Sequence, residues 1–333
     1  MTDRSEVVVV TGASAGVGRA IAHAFAKRGA SVALVARGER GLEDAAREVR
    51  SLGGKALPVP TDIADADAVE AAAQRVEAEL GPIDVWVNDA MATVFAPAHE
   101  VTPEEFRRAT EVTYLGAVWG TLAALRRMRE RDRGTIVQVG SALSYRAIPL
   151  QSAYCGAKFA MRGFTDSVRC ELMHDGSKVW ITMVQLPAVN TPQFDWGRTK
   201  MPNHPQPVPP IFQPEVPAEV VYYAAHHRRR EITVGFSAIK AIRGGQLAPW
   251  FADWYLARTG YSAQQVQDMP IDRSTWRDNL FEPVPDKAAT HGMFDHEARG
   301  SSVQAWLTTH RGAVAGVIGG MAAATATLLR RAM

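Results

Sequence analysis

Near its start the chain carries a short run of β-branched residues, Val7 to Val10, followed at once by a glycine-rich turn. A continuous apolar run of this length, bounded by turn residues, predicts a strand that is buried on both faces. The turn, residues 11–18, leads into residues 19–29, which have apolar positions at helical spacing and end in a glycine. The pattern therefore predicts a strand, a glycine turn and a helix in immediate succession.

The same alternation of apolar runs and helical patterns continues along the chain. Further apolar runs predict strands at residues 32–37, 57–62, 83–88, 136–139, 179–185 and 231–235. Amphipathic stretches between them predict helices, among them residues 64–80, 103–131 and 151–174. Because repeated strand–helix units favour a parallel sheet, we predict an α/β fold. It is a Rossmann-type doubly wound sheet of about seven strands with helices on both faces, plus a helical C-terminal extension.

Composition narrows the class of protein. A hydrophobic fraction of 47 % with 22 % charged residues is typical of a globular protein with a full core. The net charge of +2 is too small to indicate nucleic-acid binding. Cys155 and Cys170 fall on one predicted helix about 22 Å apart, too far for a mutual disulfide. Unpaired cysteines and an N-terminus without an apolar signal region favour a cytoplasmic catalytic domain.

The stretch from Ser141 to Lys158 carries the strongest candidate chemistry. Tyr154 and Lys158 are spaced i, i+4, so on a helix both side chains reach the same cleft. A cation beside a phenol lowers its pKa, which would let Tyr154 exchange a proton with an alcohol or carbonyl oxygen. Ser141 ends a predicted strand, where open α/β sheets place ligand-contacting residues, and can hydrogen-bond the same oxygen. Taken alone the Tyr-x-x-x-Lys pattern is common, and an exposed helix pair is its ordinary explanation.

The glycine turn and the end of the second strand indicate the cofactor. The glycines of residues 11–18 let the backbone approach a pyrophosphate, and the helix N-terminus offers free amides and a favourable dipole. NAD-binding sheets commonly end the second strand with an acid, whereas here Arg37 stands there. A guanidinium suits a 2′-phosphate, so we expect NADP(H) rather than NAD(H), with a solvated strand end as the alternative for Arg37. Asp62, after the third strand, is placed to meet the adenine amino group.

Residues 5–235 resemble the short-chain dehydrogenase/reductase family in its common, non-extended branch. The matching features are Thr-Gly-x-x-x-Gly-x-Gly at residues 11–18, Asp62, the region of Asn88, Ser141, and Tyr154-x-x-x-Lys158. The resemblance implies that Tyr154 is the general acid/base and that Ser141 positions the substrate oxygen. It also implies that Lys158 lowers the pKa of Tyr154 and holds the nicotinamide ribose.

The resemblance implies further contacts along the cofactor. It assigns the phosphates to Gly12, Ser14, Gly16, Val17 and Gly18, the adenosine side to Asn88, and the nicotinamide carboxamide to Pro187, Val189 and Thr191. By resemblance alone we also expect a homodimer or homotetramer that pairs the helices at residues 103–131 and 151–174. The substrate is expected to be a small molecule.

Three positions depart from the family pattern. The usual Asn-Asn-Ala-Gly appears as residues 88–91, where Met91 adds bulk beside the expected cofactor path. The helical asparagine of the family's proton relay falls at Thr113, whose hydroxyl could hold a water but lacks an amide's two ends. Ala188 replaces the glycine that usually follows Pro187. We keep Thr113 as a candidate catalytic residue. The departures leave an alternative open, a weakly or non-catalytic NADP-binding interaction or sensor protein.

The substrate is expected to be apolar. The side chains predicted to line its site are Leu143, Ala147, Ile148, Ala188, Phe194 and Trp196. They favour a ketone or secondary alcohol on a hydrophobic body such as a lipid, steroid or terpenoid, although they would equally suit an ordinary core. Residues 187–217, with nine prolines, are predicted to form a lid over the substrate. A plain surface excursion is the alternative for that loop.

The last hundred residues fall outside the resemblance. Residues 236–311 form an extension in which residues 248–258 predict a strongly apolar helix, one that needs the core, a partner subunit or a lipid surface to cover it. His291, Asp295 and His296 lack a metal-ligand spacing, so no metal site is expected.

Residues 312–329 carry no charge and are bracketed by Arg311 and by Arg330-Arg331. As a helix they would span about 27 Å, enough for the hydrocarbon core of a bilayer. Gly312, Gly316 and Gly320 would form a small-residue face of the kind that lets membrane helices pack closely. We predict a C-terminal transmembrane anchor, with a helix buried in a subunit interface or a loose tail as alternatives.

Overall fold

The computed structural model describes residues 4–312. In chain order its strands are β1 (Val7–Thr11), β2 (Ser31–Ala36), β3 (Lys55–Pro60), β4 (Val85–Asn88), β5 (Val94–Phe95), β6 (Thr135–Ser141), β7 (Trp180–Leu186), β8 (Ala188–Val189), β9 (Arg198–Thr199), β10 (Asn203–Pro205), β11 (Ile211–Phe212), β12 (Glu231–Thr233) and β13 (Gln265–Pro270). The α-helices are α1 (Gly16–Ala26), α2 (Glu39–Ser51), α3 (Ala66–Leu80), α4 (Pro103–Thr110), α5 (Gly116–Glu130), α6 (Ser152–His174), α7 (Gln193–Trp196), α8 (Glu215–His226), α9 (Phe236–Leu247), α10 (Pro249–Thr259) and α11 (Val303–Thr309).

In the described part of the chain, seven strands form one parallel sheet in the order β12-β7-β6-β4-β1-β2-β3. Val9 of β1 pairs with Ala33 of β2 on one side and with Trp86 of β4 on the other. All five residues of β1 are buried, because helices cover both faces of the sheet. The predicted α/β class, parallel sheet and doubly wound arrangement are confirmed.

The two faces of the sheet are packed by two separate hydrophobic clusters. Val8 and Val10 point into the cluster that holds Phe25 of α1. Val7 and Val9 point into the other cluster, which holds Val76 of α3 and buried side chains of α5. This alternation along one strand is the period-2 pattern of a sheet covered on both sides. Strands β1 and β4 are adjacent but their crossovers leave on opposite faces, and such a switch point leaves a crevice at the carboxyl ends.

The extension packs against this core. Helix α9 contributes Ala238 and Ile242 to a small cluster with Ala142, which directly follows β6. Strand β13 pairs antiparallel with β10, in the predicted lid region. Leu280 is fully buried in the hydrophobic cluster on the α3 and α5 side of the sheet. The extension therefore reaches both ends of the crevice.

No helix among residues 4–312 is long and apolar enough to cross a membrane. The predicted anchor, residues 312–329, falls outside the described residues except for Gly312.

Candidate active site

A cavity of about 710 Å³ lies at the carboxyl ends of the central strands. It brings together most of the predicted site residues, which are Gly12, Ser14, Gly16, Val17, Arg37, Asp62, Ser141, Tyr154, Lys158, Pro187, Val189 and Thr191. The side chains of Asn88 and Thr113 point elsewhere, and Gly18 packs beneath the turn against Gly12 and Asp89. Separate motifs of the sequence thus converge on one continuous space.

The glycine turn is shaped by a close approach of two loops. Gly12 has φ +73°, and a Cβ there would lie 2.8 Å from the Cα of Ala90. The Thr11 hydroxyl accepts hydrogen bonds from the backbone N–H groups of Asp89, at 3.0 Å, and of Ala90, at 3.1 Å. These contacts fix the loop after β4 against the turn after β1, so a flat backbone surface faces the cavity.

The candidate catalytic side chains surround the middle of the cavity. Lys158 is buried, and its Nζ donates to the carbonyl oxygen of Val139 at 2.6 Å. The same nitrogen lies 5.6 Å from the ring centroid of Tyr154. The Ser141 hydroxyl accepts a hydrogen bond from the N–H of Leu143 at 3.1 Å, which orients it at the end of β6. The helical i, i+4 spacing and the strand end thus place all three side chains on one cavity.

The pKa of Tyr154 is shifted in the direction opposite to the one that the sequence predicted. Burial raises the pKa of Tyr154, and the Ser141 hydroxyl acts in the opposite direction. Burial outweighs the lowering expected from Lys158, whose ammonium donates to the carbonyl of Val139 and whose own pKa is lowered by burial. The phenol is therefore held in its protonated form.

Asp89 is a charged neighbour of this site that the sequence analysis did not single out. Its carboxyl group lies beside the start of α1, where it accepts from the N–H of Gly18. Burial raises the pKa of Asp89, and the charge of Lys158 opposes that shift. The opposite charges of Asp89 and Lys158 each favour the ionised form of the other.

The predicted adenosine contact of Asn88 is wrong for its side chain. Asn88 shares a strand face with Trp86, whose Nε1 donates to the Asn88 carbonyl oxygen at 2.8 Å. The Asn88 amide donates to the carbonyl of Ala117, at 3.2 Å, and to the hydroxyl of Thr121, at 3.1 Å. Asn88 therefore ties β4 to α5. The two-residue period of the strand, which puts Asn88 and Trp86 on one face, was the signal for this.

The predicted relay role of Thr113 is also wrong for its hydroxyl. Thr113 lies in a π-helical turn, Glu111–Leu115, between α4 and α5. Its hydroxyl donates to the carbonyl of Ala92 and accepts from the N–H of the same residue, both at 2.9 Å. Both hydrogen-bonding functions are used within the buried core, so Thr113 fixes the loop that carries Met91. Its neighbour Val112 lines the cavity instead.

A segment of the extension, residues 279–289, crosses the cofactor end of the cavity; we call it the strap. The Arg37 guanidinium donates to the carbonyl oxygens of Asn279 and Phe281, each at 2.5 Å. The N–H of Gly16 donates to the carbonyl of Ala289 at 2.9 Å. Sequence reasoning missed the strap because its contacts are made by backbone carbonyls, which every residue carries.

Arg108 joins the strap to the predicted adenine site. Its Nη2 donates to the Asp62 carboxylate at 2.6 Å, and its Nε donates to the carbonyl of Leu280 at 3.2 Å. Partial burial acts to raise the pKa of Asp62, but hydrogen bonds from Arg108 and the Ala64 N–H lower it overall. Burial lowers the pKa of Arg37, and the charge of Arg108 acts in the same direction. Two guanidinium groups and one carboxylate thus meet there, with a net positive charge.

The opposite end of the cavity is apolar. Of the predicted lining residues, Leu143, Ile148, Ala188, Phe194 and Trp196 contribute to the wall. Ala147 is exposed and does not, because it lies in the turn region before α6. The predicted lid contributes residues 206–209, and the inner faces of α9 and α10 complete the wall. The contribution of α9 and α10 was not predicted.

Gln264 fixes the extension to the helix that carries Tyr154. Its carbonyl oxygen accepts from the side-chain amide of Gln151, at 2.8 Å, just before α6. Its own amide donates to the carbonyls of Pro149, at 2.9 Å, and Gly260, at 2.7 Å. Gln264 is buried, so these three hydrogen bonds set the position of the loop that enters the catalytic helix.

The cavity fits a dinucleotide on its own geometry. Gly12 and Gly16 both have positive φ and pack closely against Ala90 and Thr191, so the turn brings bare backbone to the cavity wall. Arg37 offers a cation at one end, while Lys158 and Thr191 line the wall towards the catalytic residues. Two donors, Arg37 and the Gly16 N–H, already contact the strap, so the strap borders the space that a cofactor would fill.

Comparisons with known proteins agree with this site. The sequence profile of the short chain dehydrogenase family matches residues 6–200. An oxidoreductase of Bacillus subtilis (strain 168) is 32 % identical over 268 residues, covering 79 % of this chain and 75 % of the relative. A fatty acyl-CoA reductase of Acinetobacter baylyi is 30 % identical over 241 residues, covering 72 % of this chain and 79 % of the relative.

A solved structure adds a likeness of fold. An alcohol dehydrogenase of the archaeon Thermococcus sibiricus, complexed with 5-hydroxy-NADP, superposes with a TM-score of 0.61 and 28 % identity. The superposition covers 69 % of this chain and 96 % of that one. The family match spans more than half of the chain and agrees with the sheet and the Ser-Tyr-Lys motif. The chain therefore belongs to the short-chain dehydrogenase/reductase family, oxidoreductases that use NAD or NADP.

Proposed function

We propose that this protein is an NADP(H)-dependent oxidoreductase that interconverts a carbonyl and a secondary alcohol on a hydrophobic substrate. One observation carries the proposal, the continuity of the cavity. Arg37 and the glycine turn line one end, Ser141, Tyr154 and Lys158 line the middle, and apolar side chains line the other end. An elongated cofactor and an apolar substrate would therefore meet beside Tyr154.

The assignment of chemistry follows from what each side chain can do. A bound nicotinamide would supply or accept the hydride. Tyr154, held protonated by burial, would give its proton to the carbonyl oxygen of the substrate in the reducing direction. Ser141, oriented by the Leu143 N–H, would hydrogen-bond the same oxygen. Lys158, fixed on Val139, would hold a ribose hydroxyl and bring positive charge beside the developing phenolate.

The preference for NADP(H) rests on Arg37. Backbone carbonyls of the strap hold its guanidinium in place before any ligand binds, which reduces the entropy lost on contact with a 2′-phosphate. The adjacent Arg108 adds positive charge, and Asp62 offsets only part of it. The solved relative with 28 % identity is complexed with 5-hydroxy-NADP, which supports the same preference.

The substrate class rests on the apolar end of the cavity. Phe194 and Trp196 are buried there, and α9 adds small and apolar side chains to the wall. A relative with 30 % identity is a fatty acyl-CoA reductase, which agrees with a substrate that carries a long apolar body. We therefore expect medium-chain ketones or aldehydes, or their alcohols, to react better than small polar hydroxy acids.

Substitution of Tyr154 by phenylalanine tests the catalytic assignment. Tyr154→Phe removes the proton donor and should lower kcat with a medium-chain ketone by about 10²- to 10⁴-fold. The matched control is Tyr255→Phe, which removes a hydroxyl from the wall of the same cavity. NADPH binding, followed by tryptophan fluorescence, should persist in both variants. Equal activity of Tyr154→Phe and the control would contradict the proposal.

Titration with the two cofactors tests the role of Arg37. NADPH should bind the wild-type chain more tightly than NADH, and Arg37→Ala should weaken NADPH binding by about 10- to 100-fold while changing NADH binding little. Arg47→Ala, which removes an exposed arginine on α2, is the control. A wild-type preference for NADH would overturn the cofactor assignment. An equal loss of both cofactors in Arg37→Ala would instead point to a displaced strap.

A further inference from the structure

Helices α9 and α10 present an exposed apolar surface that the catalytic proposal does not use. Every residue of α10 is exposed or half-buried, although the helix contains two tryptophans, a phenylalanine and a tyrosine. Trp250 is 73 % exposed and Leu247, at the end of α9, is 84 % exposed. Four half-exposed aromatic side chains offer on the order of 400 Å² of surface. A patch of that size on a monomer is often functional. We call this surface, formed by residues 247–255, the aromatic face.

The same helices form the wall of the cavity with their other side. Many inner positions are small, among them Ala238, Ala241, Gly245 and Ala252, and Lys240 also lines the cavity. Phe251 and Tyr255 belong to both sides of the helix, because they line the cavity and are also about half exposed to solvent. The wall is thus one helix thick, and Phe251 and Tyr255 connect the apolar end of the cavity with the aromatic face.

The charges around the aromatic face are positive. Lys240, Arg243 and Arg258 are exposed, and Lys240 stands at the border of the cavity that it also lines. Residues 236–261 contain one acid, Asp253, and it forms an ion pair with Arg146 from outside the helix pair. The Arg258 guanidinium lies 4.3 Å from the ring centroid of Trp254, so a cation stands directly beside the exposed indole. The one acid of the helix pair is therefore paired with Arg146 and not with these three cations, whose charge complements a negatively charged surface.

We propose that the aromatic face docks on the surface of an anionic lipid bilayer. Tryptophan and phenylalanine next to lysine and arginine are the composition of helices that lie in the membrane interface. In this arrangement Trp250 and Trp254 sit at the boundary of headgroups and acyl chains, and the cations contact the lipid phosphates. The docking deepens the proposed function. Its consequence, which rests on that proposed function, is that an apolar substrate passes from the bilayer to Tyr154 between Phe251 and Tyr255.

A second copy of this chain fits the aromatic face less well. In a twofold interface the same patch faces itself, so the three cations of one copy would oppose those of the other. Such an interface would also cover Phe251 and Tyr255, between which the substrate is proposed to pass.

Vesicle flotation of the full chain tests the docking. Wild-type protein should float with vesicles of phosphatidylcholine and phosphatidylglycerol, less with phosphatidylcholine alone, and less again at high salt. Trp250→Ser/Trp254→Ser should weaken partitioning by at least about tenfold, because both indoles leave the interface. Neither tryptophan lines the cavity, so turnover of a water-soluble ketone should be unchanged. Residues 312–333 are present in every variant, so any contribution they make is the same throughout.

Phe106→Ser/Trp306→Ser is the matched control, since it removes two exposed aromatic side chains from other helices. It should float like the wild type. Flotation of Trp250→Ser/Trp254→Ser equal to the wild type would overturn the proposal, as would a wild type that does not float. A loss of dimer in that variant at unchanged flotation would assign the face to a second copy and also overturn it. Tyr154→Phe separates the two proposals. If this variant floats like the wild type and also keeps the wild-type kcat, the docking stands and the proposed catalytic role fails.

Discussion

The two ends of the cavity are both completed by the C-terminal extension, yet by different physical means. At the cofactor end, the strap contacts Arg37 and Arg108 through backbone carbonyls and buries Leu280 in the core. At the substrate end, α9 and α10 cover the cavity with small inner residues and leave their aromatic side chains exposed. Directional hydrogen bonds to charged groups fix one end, whereas non-directional apolar contact forms the other.

The difference indicates that the cofactor end is the rigid one. Hydrogen bonds to a charged group require fixed geometry, and a buried leucine adds packing on every side. The substrate end keeps few buried side chains in α9 and has only partly covered ones in α10. Segments with few buried contacts open locally at low cost, which suits an entrance for substrate.

Two leucines of the extension provide the sharpest contrast. Leu280→Ala removes a fully buried side chain from the core and should lower the free energy of unfolding by about 3 kcal/mol. Leu247→Ala removes an 84 % exposed side chain and should change it by less than about 0.5 kcal/mol. Urea denaturation of the apo protein measures both. If the two variants unfold alike, the strap is not docked as described and the contrast between the two ends disappears.

A substitution at Gln264 probes a buried polar contact at the substrate end. Gln264→Leu leaves the Gln151 amide and the carbonyls of Pro149 and Gly260 without their partner. We expect a loss of about 2 kcal/mol in the free energy of unfolding, with a lower kcat because the loop before α6 loses its support. Gln246→Leu, at an exposed position of α9, is the control. An unchanged kcat would indicate that Tyr154 is oriented without the extension.

Sequence patterns predicted the fold and the centre of the site because both depend on local periodicity. The β-branched run at residues 7–10 and the glycines of residues 11–18 have a local physical meaning, so their structure follows from the chain itself. Tyr154 and Lys158 lie four residues apart on one helix, which fixes their common direction. Ser141 ends a strand, and the carboxyl ends of parallel strands meet at one edge.

The contacts of Thr113 and of the strap join distant parts of the chain, whereas the inward position of Asn88 follows from the two-residue period of its strand. Asn88 ends β4 on the same face as Trp86, and its hydrogen bonds with Trp86 and Thr121 hold its side chain in the core. The hydroxyl of Thr113 is taken up by Ala92, 21 residues away. The strap binds Arg37 through backbone carbonyls across more than 240 residues, and no side-chain pattern marks such an acceptor.

The smallest predicted effect is a pH dependence next to the strap. His291 contacts the carboxylates of Glu215 and Asp295, each at 2.9 Å. Partial burial acts to lower the pKa of His291, but its hydrogen bond with Glu215 and the charges of both acids raise the pKa overall. A histidine whose pKa is raised on folding stabilises the fold fully below its unfolded pKa of about 6.5. That contribution is lost as the pH rises through the folded pKa.

His291→Gln should therefore flatten the profile of stability against pH in the range above the unfolded pKa of about 6.5, where the contribution of the wild-type histidine is lost. The side chain is 37 % exposed, so solvent screening keeps the expected difference near 0.5 kcal/mol. Urea midpoints at a series of pH values measure it, with the exposed His174→Gln as the control. Because α8 and the segment after the strap meet at this pair, a flattened profile would place a weak, pH-dependent tether beside the rigid cofactor end. A profile identical to that of the control would mean that the strap is held by Leu280 and the carbonyl contacts alone.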